Sequence, residues 1–232
     1  MDYQGIYQNK ADAYDRLVSA EDCDHNLLPA IRRIADVAGA WVFEAGSGTG
    51  RVTRLLADCG AHVVGSDQSA AMLGVAWRRM EPSRASQVCL LQADGRAVPV
   101  KGGWAKMAIA GWVYGHFVEW YRDRWQAEIA RALTELERTL ERGGRTILIE
   151  TLGTGHQEPQ APTDGLERYY RWLEAEQSFR HEWVRTDYLF ASVEEAAEVT
   201  GFFFGPEFAE RVRREGWQRV PECTGMWWKH KQ

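Results

Sequence analysis

The chain of 232 residues carries 28 lysines and arginines against 33 aspartates and glutamates, a formal net charge of −5, with 45% hydrophobic and 26% charged residues. This balance excludes disordered, collagen-like and coiled-coil chains and suits one domain with a sizeable core, since a chain of roughly 200 residues buries about 70% of its unfolded surface. It also disfavours nucleic acid and anionic membranes as partners, because both select clustered positive charge.

The opening residues, MDYQGIYQNKADAYDR, lack the layout of a signal peptide, and no apolar run approaches the roughly 20 residues of a membrane span. A soluble cytoplasmic protein is expected. Cys23, Cys59, Cys89 and Cys223 are far apart and form no Cys-x-x-Cys pair, so they read as buried or half-buried thiols rather than a zinc site or disulfide framework. Eleven tryptophans stand out, and only Trp41 and Trp77 precede residue 100.

In chain order, Asp24 reads as the cap of a helix carrying Leu27, Leu28, Ile31, Ile34, Ala35 and Ala38 at helical spacing, stopped by Gly39. A buried strand, Trp41 to Ala45, runs into a glycine cluster. A helix through Val52, Leu55, Leu56 and Cys59 then leads to a second strand, His62 to Ser66. Ser69 caps a helix reaching Met80, and Val88 to Leu91 and Lys106 to Ala110 form the third and fourth strands. One long helix is expected from Glu119 to Glu141, ended by Gly143-Gly144 ahead of a fifth strand, Arg145 to Glu150. Thr151 to Thr186 breaks the rhythm with glycines, prolines and an aromatic run. A strand near Tyr188 to Phe190, helices over 192–200 and 206–215 and a last strand from Cys223 to Trp228 complete the chain. Strands alternating with helices imply a mostly parallel sheet covered on both faces, with ligands outside the carboxyl ends of its strands.

The strongest local signal is Glu44-Ala45-Gly46-Ser47-Gly48-Thr49-Gly50-Arg51. Glycines here let the backbone turn sharply and approach a ligand, while the next helix offers free N–H groups to an anion. No Gly-Lys-Ser/Thr follows, which excludes a phosphate-binding Walker loop, and Arg51 stands where a dinucleotide fingerprint needs its third glycine.

The stretch EAGSGTG resembles motif I of the class I S-adenosylmethionine-dependent methyltransferases, and the order of later marks is similar to that family's over about residues 24 to 151. Asp67 ends the second strand, and Asp67-Gln68-Ser69-Ala70-Ala71-Met72-Leu73 resembles the family's Asp-x-Ser-x-x-Met-Leu. Ala93-Asp94-Gly95 ends the third strand, Ala110-Gly111-Trp112 the fourth, and Arg142-Gly143-Gly144-Arg145 precedes the fifth.

The resemblance implies S-adenosyl-L-methionine as cofactor, bound by Glu44, Gly46, Ser47, Gly48, Gly50, Asp67, Gln68, Met72, Asp94, Gly95, Gly111 and Trp112. Asp67 would accept from the ribose hydroxyls, Met72 would pack near the adenine and Asp94 would accept from its amino group. Read without the family, Asp67 is a helix-capping acid and Asp94 a turn former. The implied fold is α/β: a Rossmann-like, doubly wound, seven-stranded, mostly parallel sheet with helices on both faces and an aromatic-rich insertion after strand five. The expected single domain divides into a lid (1–23), a cofactor core (24–151), a cap (152–186) and C-terminal strands and helices (187–232).

Methyl transfer from a sulfonium is an in-line displacement that needs alignment, exclusion of water and, for a protonated acceptor, a base. His116, just beyond strand four, is the candidate base, or alternatively a group that hydrogen-bonds the next helix. Tyr7 and Tyr14 are expected in a lid, while Tyr114, Tyr169, Tyr170 and Trp172 are expected beside the acceptor. Aromatic walls suit a flat, apolar or cationic acceptor, although an aromatic stripe at helical spacing also serves as core packing. No metal is expected, because Glu119, Asp123 and Glu150 are scattered. Ala110-Gly111-Trp112-Val113 stands where nucleic-acid methyltransferases carry an Asn-Pro-Pro-Tyr-type tetrapeptide. The expected reaction is methyl transfer to a small molecule. The alternatives are a non-catalytic cofactor-binding protein, a protein methyltransferase and a nicotinamide-dependent oxidoreductase.

Overall fold

The computed structural model describes residues 3–231. Three helices, α1 (Tyr3–Asn9), α2 (Ala11–Val18) and α3 (Leu27–Ile34), precede an alternating stretch. It runs β1 (Trp41–Ala45), α4 (Arg51–Asp58), β2 (His62–Asp67), α5 (Ala70–Arg78), β3 (Val88–Gln92), β4 (Ala105–Gly111), α6 (Gly115–Trp120), α7 (Trp125–Thr139) and β5 (Leu140–Thr154). The remainder is α8 (Asp164–Ala175), β6 (Arg180–Arg185), β7 (Tyr188–Leu189), α9 (Val193–Phe204), α10 (Pro206–Glu215), β8 (Arg219–Val220) and β9 (Glu222–His230).

Seven strands form one sheet in the order β3-β2-β1-β4-β5-β9-β6, and β7 pairs with β8 separately. The first five are parallel, while β9 runs antiparallel between β5 and β6. The chain order reverses between β1 and β4, and such a switch point opens a crevice at the carboxyl ends of the strands. Strand side chains alternate between faces. Phe43, Ala108 and Leu148 therefore meet α7 and α8 through Ile129, Leu133 and Leu173, while Val42, Ile109 and Ile147 meet α3 and α4 through Ile31 and Leu56. Each such large side chain taken out of water contributes about 1.5–3 kcal/mol. Together the two faces hold the strand ends that carry the site.

Several expected elements differ. Asp22, not Asp24, caps α3: its carboxylate accepts from the Asn26 and Leu27 N–H groups, while Asp24 pairs with Arg219. The single helix expected over 119–141 is two, α6 and α7, joined by a 3-10 turn at Arg122–Arg124. It ends at Thr139 because buried Leu140 turns extended to pair with Ala105. The glycine pair consequently lies inside β5, with Gly143 at φ +80°, beside a break in register between Ala105 and Met107. The region read as a cap over the sheet instead supplies its edge strand, β6.

Part of the tryptophan excess serves packing: Trp125, Trp172 and Trp227 are buried, while Trp41, Trp77 and Trp183 are exposed, and Trp227 Nε1 donates to Glu174 Oε1 at 3.0 Å. All four cysteines are free, and Cys89 is exposed rather than buried. Among the described residues no helix is long and apolar enough to cross a membrane.

Candidate active site

The glycine turn joins β1 to α4 with Gly46, Gly48 and Gly50 at φ +67°, +54° and +82°, a region that side chains disfavour. At Gly46 space is also limiting: a Cβ there would stand 2.3 Å from Val113 Cγ2 in the loop after β4. The turn is fastened to β2 by Asp67, whose carboxylate accepts from Gly48 N–H at 2.9 Å and Ser69 N–H at 2.8 Å. Ser69 in turn caps α5 through Met72 N–H. Burial pushes the Asp67 carboxyl upward, against the pull of those backbone amides.

Polar atoms without partners gather beside this turn. Glu44 is buried and accepts from the Thr53 hydroxyl, and burial pushes it up to about 8. Ser47 Oγ is buried with no partner. Arg51 pairs with Glu21 and lies 3.6 Å over the ring of Trp112, which adopts the left-handed φ of +56° at the end of β4. The Arg51 Nη2 is buried and, among the described residues, unpartnered. A buried donor left without a partner costs about 1–3 kcal/mol, so these atoms mark a place that a polar ligand completes.

A cavity of about 760 Å³ joins this wall to a second one. There His116 Nε2 and the Tyr7 hydroxyl are 2.8 Å apart, and the imidazole stacks on Trp120 at 5.2 Å. Burial lowers His116 to about 4. The Tyr7 carbonyl accepts from Ser69 Oγ at 2.7 Å, so α1 spans from the cap of α5 to His116. Tyr14 packs edge-on against Tyr7, and burial pushes its hydroxyl up to about 12. Within β5 the Glu150 carboxylate accepts from Gly115 N–H at 2.9 Å and the Tyr169 hydroxyl at 3.3 Å. At the start of β9 Glu222 Oε1 accepts from Thr151 Oγ1 at 2.7 Å, while its Oε2 is buried without a partner. Burial pushes both acids up to about 8.

Of the residues expected at the site, Tyr7, Tyr14, Glu44, Gly46, Ser47, Gly48, Gly111, Trp112 and His116 line this cavity. Gly50, Asp67, Gln68, Met72, Asp94 and Gly95 stand outside its lining. Asp94 is drawn to Arg96 at 2.6 Å, which holds its carboxyl below the usual range. The acceptor role expected for Tyr114, Tyr169, Tyr170 and Trp172 is corrected: their side chains pack into the sheet's α7 and α8 face and none lines the cavity. Sequence reading missed Arg51 and Glu21 as a pair, and Glu222, Tyr188 and Phe203 as cavity residues. Arg51 alone carried a local signal, directly following the glycines. Among the described residues no group of acids, histidines or cysteines is placed to hold a metal.

Residues 43–148 match a family model described as a methyltransferase domain. A demethylmenaquinone methyltransferase of Thermus thermophilus is 33% identical over 129 residues, 55% of this chain and 50% of the relative. One from Clavibacter sepedonicus is 29% identical over 148 residues, 62% of this chain and 56% of the relative. The chain thus spans about half the length of these curated relatives. The crystal structure of magnesium protoporphyrin IX methyltransferase from Synechocystis PCC 6803 with bound S-adenosylmethionine superposes with a TM-score of 0.56 at 14% identity, covering 99% of this chain and 94% of that one. Residues 43–148 thus match a methyltransferase domain, and the solved structure shows that the chain shares its fold.

The residues fit that cofactor. Its carboxylate matches the orphaned Arg51 donor and its ammonium the buried Glu44.

Proposed function

We propose that the chain transfers the methyl group of S-adenosylmethionine to a small-molecule acceptor in the cavity beside α1, α6 and the facing ends of β5 and β9. One observation carries this reading: a continuous cavity has the glycine turn on one wall and His116, Glu150 and Glu222 on the other. The relatives' acceptors, demethylmenaquinone and magnesium protoporphyrin IX, are small molecules too. A net charge of −5 speaks against nucleic acid in their place.

The bound cofactor supplies an electrophilic methyl group on a positively charged sulfur. Arg51, Glu44, Gly46, Gly48, Gly111 and Trp112 hold the methionine end, and Asp67 takes the ribose hydroxyls. Gln68, Met72, Asp94 and Gly95, which stand outside the cavity's lining, would border the adenine. Tyr7 and Tyr14 on the N-terminal segment exclude water, which alignment of nucleophile and methyl group requires. His116 is a weak base at about 4, and its Nε2 is engaged by Tyr7. Its role is to fasten the lid over the reacting atoms. The test is calorimetric titration with S-adenosylhomocysteine: micromolar binding is expected. Binding of NADH instead, or of neither compound, overturns the reading.

A further inference from the structure

We propose that the acceptor is an amine, bound as an ammonium ion by the buried carboxyls of Glu222 and Glu150 and methylated on nitrogen. The proposal rests on the methyltransferase reading above and names its acceptor class.

Three carboxyls that line the cavity, Glu44, Glu150 and Glu222, are each at most 4% exposed, and among the described residues none of them makes an ion pair. The cavity's cations are committed elsewhere. Arg51 is ion-paired with Glu21 and acts on Glu222 only through its field, Arg211 donates to the Gly155 carbonyl, Arg168 is exposed, and burial disfavours the charged forms of His116 and His156. A buried carboxylate is tolerated when a cation pairs with it. The cofactor's own ammonium accounts for Glu44 and leaves two carboxyls for a second positive group.

Glu222 adds an independent sign, because its Oε2 is buried and unpartnered among the described residues and the residue lines the cavity. Glu150 stands beside the carboxyl end of β4: Trp112 N–H donates to the neighbouring Ile149 carbonyl at 2.6 Å, and Gly115 N–H donates to Glu150 itself. A hydroxyl acceptor would bring a single donor and no charge. An ammonium brings three donors and a positive charge that ionises carboxyls which burial otherwise keeps protonated, and the aromatic residues Phe203, Phe204 and Tyr188 in the same lining suit a cation with an apolar body.

The chemistry balances without another reagent. The ammonium gives one proton to Glu150, and the freed nitrogen lone pair forms the N–C bond as the methyl–sulfur bond breaks. That bonding pair stays on sulfur, which becomes a neutral thioether.

The experiment uses the full chain saturated with S-adenosylhomocysteine and three matched probes: 2-phenylethylamine, 2-phenylethanol and 3-phenylpropanoate. Calorimetry is expected to rank the amine about tenfold tighter than the alcohol, with the carboxylate weakest. Glu222→Gln and Glu150→Gln should each shrink that preference while the affinity for S-adenosylhomocysteine, which also reports folding, stays within about twofold. An alcohol or carboxylate that binds as well as the amine, no binding by any probe, or a preference surviving both substitutions overturns the proposal. Each probe is also titrated without S-adenosylhomocysteine. If that compound fails to bind, the methyltransferase reading falls, while the probe ranking still decides the preference of the cavity.

Discussion

The two walls of the cavity are built on different length scales. On the cofactor wall the fastening contacts are short in sequence: Thr53 reaches Glu44 across nine positions, and Gly48 reaches Asp67 across 19. On the acceptor wall Thr151 meets Glu222 across 71 positions, Tyr7 meets His116 across 109 and Thr186 meets Glu21 across 165. The first wall is a property of one strand–turn–helix unit, so its backbone demands appear as a glycine pattern. The second exists only once β9 has inserted between β5 and β6 and the N-terminal helices have closed over the strand ends. Such a wall can change its chemistry without altering the turn, which is how one fold serves many acceptors.

Breaking the link between the walls should have the largest effect. Arg51→Met leaves Glu21 buried without its cation and should lower unfolding free energy by about 3 kcal/mol, as for other broken buried pairs. Urea denaturation measures it, and a loss below about 1 kcal/mol would contradict the pairing. S-adenosylhomocysteine affinity should fall about tenfold in the same variant.

Within the cofactor wall, Gly46→Ala forces a Cβ toward Val113 at positive φ. A stability loss of about 2 kcal/mol is expected, with cofactor affinity reduced more than the thermal midpoint suggests. A variant that binds S-adenosylhomocysteine normally would show that the turn and the β4 loop move apart freely.

Both walls of the cavity carry a pH signature. Glu44, Glu150 and Glu222 are pushed from 4.5 to about 8 by burial, so the folded state holds extra protons between those values. Stability from these groups is complete below about 4.5 and is lost as pH rises through about 8. His116 acts oppositely, falling from 6.5 to about 4, so its contribution grows with pH only across that lower range. Between pH 7 and 8 the carboxyls dominate, and unfolding free energy should decline with rising pH. Glu150→Gln should flatten the decline, and an unchanged slope would mean that Glu150 is already ionised.

The smallest effect is expected at the lid. Tyr7→Phe removes the hydroxyl facing His116 Nε2 and should cost about 1 kcal/mol. Faster amide exchange over residues 3–9, at unchanged exchange in β1, would localise the loss; uniform change would refute a separate lid contact.

The same difference of scale explains what was readable beforehand. The strand from Trp41 to Ala45 and the Ser69 cap follow from local apolar runs and side-chain chemistry, and the structure has both. The apolar face of Tyr169, Tyr170 and Trp172 was equally visible as a stripe. Helical spacing states that a face is covered but not by what, and here it is the sheet rather than an acceptor that covers it. The long helix expected over 119–141 failed for a related reason: Leu140 fits a helical period as well as a strand, and its pairing with Ala105 decides between them.

By itself, then, the amino-acid order determined the alternating sheet architecture and the glycine turn, because period-two burial, positive φ and helix capping act over a few residues. Only the tertiary structure decided that Arg51 faces Glu21 and Trp112, that Glu222 arrives beside Thr151, and that Glu44, Glu150 and Glu222 share one cavity. Burial and long-range strand pairing create that charge balance, and neither acts until distant segments have packed together.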